Sequence, residues 1–273
     1  MYLPRYEEGD GERGRERVAS EEQAWAKWQE VGRIVDDLGG MVDARGQWVP
    51  SAGSPLAGDD RLSAPYQVSH AVTQCLMAAI DHAQAVRSLV VTHQELHTAA
   101  PGSLARGLVE NAATAFWILH PASRRERVLH AMQWYAQNAR DRDRFQHALG
   151  AVVEQQGDPV GRLVALAEAA GESDAQWLRR GYRPSEPVEY AQKHAGARAA
   201  MVSWQLGSGF AHGRPWAFLG ALEQERLPGV APGVLDVRVT SNLARALFPV
   251  LTGMELIAAV LRLHTQRRRA LFG

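Results

Sequence analysis

The chain has 273 residues, 46% hydrophobic and 22% charged, the balance of a globular protein with a substantial core rather than of a disordered one. Lysine plus arginine and aspartate plus glutamate stand at 30 each. No net charge therefore draws the whole protein to nucleic acid or to an anionic membrane, although a local basic face stays open. The single cysteine, Cys75, excludes an intrachain disulfide and a cysteine-based zinc site, and its apolar surroundings read as a core position.

In chain order, residues 1–19 alternate in charge and read as a flexible arm without the apolar stretch of a signal peptide. A second segment, 20–63, opens with a helix capped by Ser20 and Gln23. It carries Trp25, Trp28, Val31, Ile34, Val35 and Leu38 at helical spacing and ends at Gly39-Gly40. A small hairpin around Asp43 to Gly46 is open, and the Pro-, Gly-, Ser- and Asp-rich run 50–63 reads as a linker. The third segment, 64–273, is an all-α body. Its helices are expected over about 65–97, 103–119 and 123–153, with short ones after Asp158-Pro159 and over 173–180. Another helix, capped by Ser185, should run to Leu206 with a weak point at Gly196, and one more over 215–222. The turn sequence L-P-G-V-A-P-G followed by alternating V-L-D-V-R-V-T predicts a β-hairpin insertion near 219–240. A last helix follows from about Asn242 to Arg268, with Ser241 or Thr240 as cap. The apolar run 246–261 is broken by Pro249, Gly253 and Glu255 and reads as too short to span a bilayer. The expected whole is an up-down helical bundle with a small β-hairpin insertion and an N-terminal helical appendage, in the cytoplasm and off the membrane.

Several polar groups are candidates for chemistry. On the helix that ends at Leu119, Leu104, Leu108, Val109, Ala112, Phe116 and Leu119 form one apolar face, and Arg106 and Glu110 lie opposite, one turn apart. This pair is either a solvated ion pair or a functional one; Trp117 in the same stripe predicts that another helix covers it. His93 and His97 stand four apart around Glu95, but no third ligand is spaced to complete a metal site, so no metal or cofactor is expected. Arginine followed four to six residues later by histidine can place a guanidinium and an imidazole on one phosphate. Arg142 with His147 fits best. Arg140 with His147, Arg124 and Arg125 with His130, and Arg87 with His93 also fit, hardly above the roughly three chance matches expected.

The stretch Gly207 to Trp216, G-S-G-F-A-H-G-R-P-W, puts Ser208 and His212 one helical turn apart. It lacks a visible acid and the strand-turn-helix setting of a nucleophile elbow. It reads either as a close helix crossing or as a polar site under Trp204, Phe210 and Trp216.

R-G-L-V-E-N-A-A-T-A-F-W-I-L-H-P, the following R-R-E-R-V, and S-G-F-A-H-G-R-P-W together resemble a group of uncharacterised, mostly actinobacterial helical proteins. These are distantly similar to the HEPN and abortive-infection superfamily. The resemblance covers roughly residues 65–265. It implies a helical bundle that often forms homodimers and acts on RNA as a metal-independent ribonuclease, or serves as a regulatory or defence interaction module. Active members carry the arginine–histidine pair on a late helix, whereas Arg142 and His147 lie mid-chain. The resemblance highlights Arg106, Glu110, Ser208 and His212. In a catalytic version Arg106 or Arg142 would hold a phosphate and His147 or His212 would move the proton. Two rivals stand beside it: a small-molecule enzyme or binder with a pocket lined by Trp117, Trp134, Tyr135, Trp204 and Trp216, and a purely structural dimer.

Overall fold

The computed structural model describes residues 21–44, 46–150, 157–229, 231 and 233–270. The arm 1–19 and the Ser20 cap lie outside this range. The described chain is an all-α bundle with one two-stranded antiparallel hairpin.

The helix α4 (Ala100–Leu119) is its axis. Nearly every residue from Ala112 to Leu119 is buried, as expected of a helix that is apolar on all sides. Four helices surround it: α3 (Val68–Arg87), α7 (Ser185–His194), α8 (Ala200–Ala211) and α10 (Leu243–Arg268). Small residues set the distances. Gly253 of α10 leaves room for Leu108, where a side chain at that position would collide with the leucine.

Outside this shell, α1 (Glu21–Asp43) lies on α3 and α10, pinned by a 3.0 Å hydrogen bond from fully buried Trp28 to the Leu243 carbonyl. The helix α5 (Arg124–Ala148) starts at Ser123, whose Oγ accepts from the Glu126 N–H. It packs its first half, then leaves the body, with Phe145 65% exposed. Asp158 caps α6 (Pro159–Ala169), which packs against α5. After α9 (Pro215–Ala221) the strands β1 (Glu223–Leu227) and β2 (Asp236–Thr240) pair with Glu225 opposite Arg238, an ion pair at 3.1 Å.

Several local expectations differ from the structure for identifiable reasons. The supposed linker contains α2 (Pro55–Ser63), with Ser54 Oγ accepting from Ala57 N at 3.1 Å and proline in the first turn. Its residues Leu56, Asp59 and Ser63 are buried, so a short amphipathic helix was hidden by turn-forming composition. Gly39 does not end α1; it admits the Gln84 side chain of α3, so this glycine serves packing rather than capping. No strand forms over 41–49 among the described residues; the helix runs to Asp43 and hydrogen-bonded turns follow.

The helix expected over 65–97 stops as α3 at Arg87. One π-type turn follows (Ser88–Thr92), and the chain reverses at Gln94, whose φ is +54°. Only a single 3-10 turn (Gln176–Arg180) forms within 173–180. Gly196, at φ +79°, separates α7 from α8 outright, a conformation that favours glycine. Asn242, rather than Ser241 or Thr240, caps α10 through a 2.8 Å bond from Arg245 N. This last helix has a window of mean hydropathy 1.7, so by length and composition it could cross a membrane, but 56% of that window is buried within the bundle. A core helix passes the same test.

Candidate functional site

The G-S-G-F stretch forms the C-terminal half of α8 where it crosses the start of α4. A Cβ on Gly207 would stand 2.6 Å from Arg106 Cβ and 2.6 Å from the Gly102 carbonyl oxygen. Only a residue without a side chain permits that approach. Gly209 likewise lets α9 in, since its Cβ would meet Ala217 and the Trp216 ring at 2.6 and 2.7 Å. Phe210 lies over Gly102, which has no side chain to displace it.

On one side of this crossing four residues form a polar latch. Arg106 Nε donates to Ser208 Oγ at 2.7 Å, and Arg106 Nη2 lies 2.9 Å from Glu110 Oε2. Trp204 Nε1 donates to the same carboxylate oxygen at 2.7 Å, and the guanidinium carbon stands 5.4 Å from the Trp204 ring centroid. The stripe of Arg106 and Glu110 is thus covered by α8, and both side chains remain about a third exposed, at 30% and 28%. Ser208 accepts from an arginine and meets no base in this group, which leaves its hydroxyl unactivated as a nucleophile. His212 ends α8 in solvent; its N–H bonds to the Ser208 carbonyl, and its ring has no bond to Arg106 or Glu110.

Because the latch is partly solvated, its ion pair carries only part of the value of a buried one. Arg106→Ala is expected to cost about 1–2 kcal/mol in urea unfolding, and Glu110→Gln is expected to shift Trp204 emission with a smaller cost. Unchanged emission and stability in both variants would remove the latch from the account.

On the other side of the crossing lies a cavity of about 550 Å³. Its walls are Pro101 and Gly102 of α4, Leu206, Gly207 and Phe210 of α8, and Phe248 and Pro249 of α10. The segment Ala221 to Glu223, Ser241, Asn242, Ala244 to Ala246, and His97 and Thr98 complete it. Its volume lies within the usual range for small-molecule sites. Pro249 lacks the N–H that would bond the Arg245 carbonyl.

The tryptophans expected to line a common pocket lie at separate places. Trp117 stacks on His130 at 4.1 Å, Trp134 meets Tyr135 edge-on at 5.0 Å, Trp204 belongs to the latch, and Trp216 is 57% exposed. The cavity takes its aromatic walls from Phe210 and Phe248 instead.

The arginines of the spaced arginine–histidine pairs are engaged elsewhere. Arg142 pairs with Asp143, Arg140 donates to the Arg179 carbonyl, Arg124 reaches Asp59, Arg125 reaches Glu172, and Arg87 reaches Asp36. His147 is exposed, and His130 Nδ1 lies 2.7 Å from the Trp117 carbonyl. His93 and His97 sit in a loop rather than on one helical face, and His97 faces Glu95 at 3.4 Å. Among the described residues no group of three or more histidine, cysteine or acidic side chains is placed to hold a metal.

Two polar groups escaped the sequence reading. Fully buried Asp59 receives Arg127 Nε and Nη2 at 2.6 and 2.8 Å. The available signals were an aspartate between Leu56 and Ser63 on the core face of α2, and an arginine beside Val128 and Ala131 on that of α5. The second group joins α4 to α7: His120 Nδ1 lies 2.9 Å from the Tyr190 hydroxyl, and the His194 ring centroid is 5.4 Å from that of His120. Burial, then the neighbouring His194 and Arg267, hold His120 below the usual histidine range. Burial also lowers His130, against the opposing Trp117 carbonyl. Burial, reinforced by Arg268, brings His264 down to about 4.

These imidazoles are neutral in the folded chain and take a proton more readily once unfolded. Stability is therefore complete above about pH 6.5 and falls as pH drops from there toward 4. His264, only 3% exposed and brought down to about 4, is expected to contribute the largest share of that loss. Urea midpoints measured across this range should fall, and the fall should be shallower in His264→Phe; an identical slope in the variant contradicts the assignment.

Fold and site together define an all-α bundle whose glycine-mediated helix crossing separates a polar latch from an apolar cavity. The chain matches no known protein-family model, and no curated protein or solved structure is significantly similar to it.

Proposed function

We propose that the protein binds a small, largely apolar molecule in the cavity between α4, α8 and α10. The observation that carries this reading is the cavity itself, about 550 Å³ with mainly apolar walls and a few polar groups among its lining residues. That is the usual build of a ligand pocket. The glycines at 102 and 207 support it, because they bring the two backbones together at the cavity wall. A HEPN-like action on RNA would draw on a free arginine beside a histidine. The arginines of the spaced pairs are held by carboxylates and carbonyls, which weighs toward the pocket. The latch of Arg106, Glu110, Trp204 and Ser208 serves here to hold α8 on α4, and so keeps the cavity in shape.

The test is an equilibrium titration with an uncharged naphthylamine fluorophore, whose emission rises in apolar surroundings. Saturable binding with one site per chain, accompanied by an increase in thermal midpoint, is the expected result. A folded protein that gives no saturable signal contradicts the reading.

A further inference from the structure

The geometry points to an anionic ligand for this cavity: a molecule with an apolar body and a single carboxylate, the carboxylate meeting Arg245. This inference rests on the pocket reading and names the chemical class that fits it. Arg245 belongs to the first turn of α10 and borders the cavity together with Ser241, Asn242 and Ala244. The residue is exposed, and its Nη1 donates to the Ala221 carbonyl at 2.6 Å, which ties the guanidinium to the rim. Among the described residues no carboxylate lies within ion-pair reach of Arg245. A planar guanidinium held in place beside an apolar cavity suits a carboxylate, which it can engage through two parallel N–H donors. The positive end of the α10 dipole lies on the same rim and adds the same sign.

Glu223 also borders the cavity and carries the opposite charge, but its Oε1 is occupied by Asn242 Nδ2 at 2.6 Å. Asn242 in turn caps α10 through its Oδ1. Glu223 is thereby tied to the helix cap, and its charge would repel the proposed ligand weakly. This gives the proposal a sign that can be tested at two positions.

The experiment displaces the naphthylamine fluorophore from the full chain with three probes that share one alkyl body: decanoate, decanol and decylammonium. Decanoate should displace it at about tenfold lower concentration than decanol, a preference of the size expected for one charge-assisted contact. Arg245→Gln should abolish that preference, bringing the decanoate and decanol concentrations together, and Arg245→Lys should retain part of it. Glu223→Gln should strengthen decanoate binding. Equal displacement by decanoate and decanol, a preference for decylammonium, or a preference that survives in Arg245→Gln overturns the assignment of charge. The pocket reading would remain intact in each of those cases. Its own failure is distinct, because the fluorophore would then not bind at all.

Discussion

Replacing Asp59 by alanine is expected to lower unfolding stability by about 3–5 kcal/mol, the cost of leaving a buried cation without its counter-ion. Asp59 is fully buried and Arg127 is 3% exposed. The guanidinium also donates through Nη1 to the carbonyls of Pro121 and Ala122, and Arg267 donates to those of His120 and Pro121. The two arginines thus satisfy carbonyls from the α4 C-cap, His120, through the turn that leads to α5. Asp59 neutralises the buried one, so the short helix α2 fixes the junction of α4 and α5. Arg127→Met alone should cost a comparable amount. The double variant Asp59→Leu/Arg127→Met should recover part of the loss, since an apolar pair of similar volume replaces an ion pair at little cost. Urea unfolding monitored by far-ultraviolet circular dichroism measures all three. A cost below about 1 kcal/mol for Asp59→Ala would place the pair in solvent and contradict its burial.

The second large effect is expected at Gly207. Gly207→Val should destabilise the chain by roughly 1–3 kcal/mol and abolish binding of the naphthylamine fluorophore. The added atoms meet the Gly102 carbonyl and the Arg106 backbone, neither of which can rotate away as a side-chain tip could. The two helices must separate, which stretches the Arg106–Ser208 bond and opens the cavity wall. Gly220 supplies the control: a Cβ there meets nothing within 4 Å, so Gly220→Ala is expected to be neutral or stabilising by up to about 1 kcal/mol, the helix preference of alanine over glycine. Equal effects at the two positions would remove the packing role given to Gly207.

Much of the fold can be read from residue patterns. The apolar stripe of Leu108, Ala112, Phe116 and Leu119 marks α4 as a core helix, and all four are buried. Trp117 beside Arg106 and Glu110 points to a covering helix, and α8 takes that place through Trp204 and Ser208. The Asp158 cap and the start of α5 near Ser123 follow from local chemistry, which acts over three or four residues. Less legible is whatever depends on partners distant in sequence. Nothing near Glu110 names Trp204 as its donor, 94 residues on. His212 fits the spacing for Ser208 as well as Trp204 does, but it falls where α8 ends, so its ring leaves the stripe. The α2 segment was obscured because Ser54, Pro55 and Gly58 suit a helix start and a loop alike. The cavity is assembled from four separate stretches of chain and has no motif of its own. G-S-G-F marks only the wall where two helices touch.

The most direct test of the cavity as the functional site is to fill it. Ala244 is half-buried and borders the cavity at the first turn of α10. In Ala244→Trp the indole should occupy the space, so that binding of the uncharged fluorophore falls by about tenfold or more, while the thermal midpoint and helical content stay near those of the parent chain. A correctly folded Ala244→Trp protein that binds the fluorophore as tightly as the parent would contradict the account.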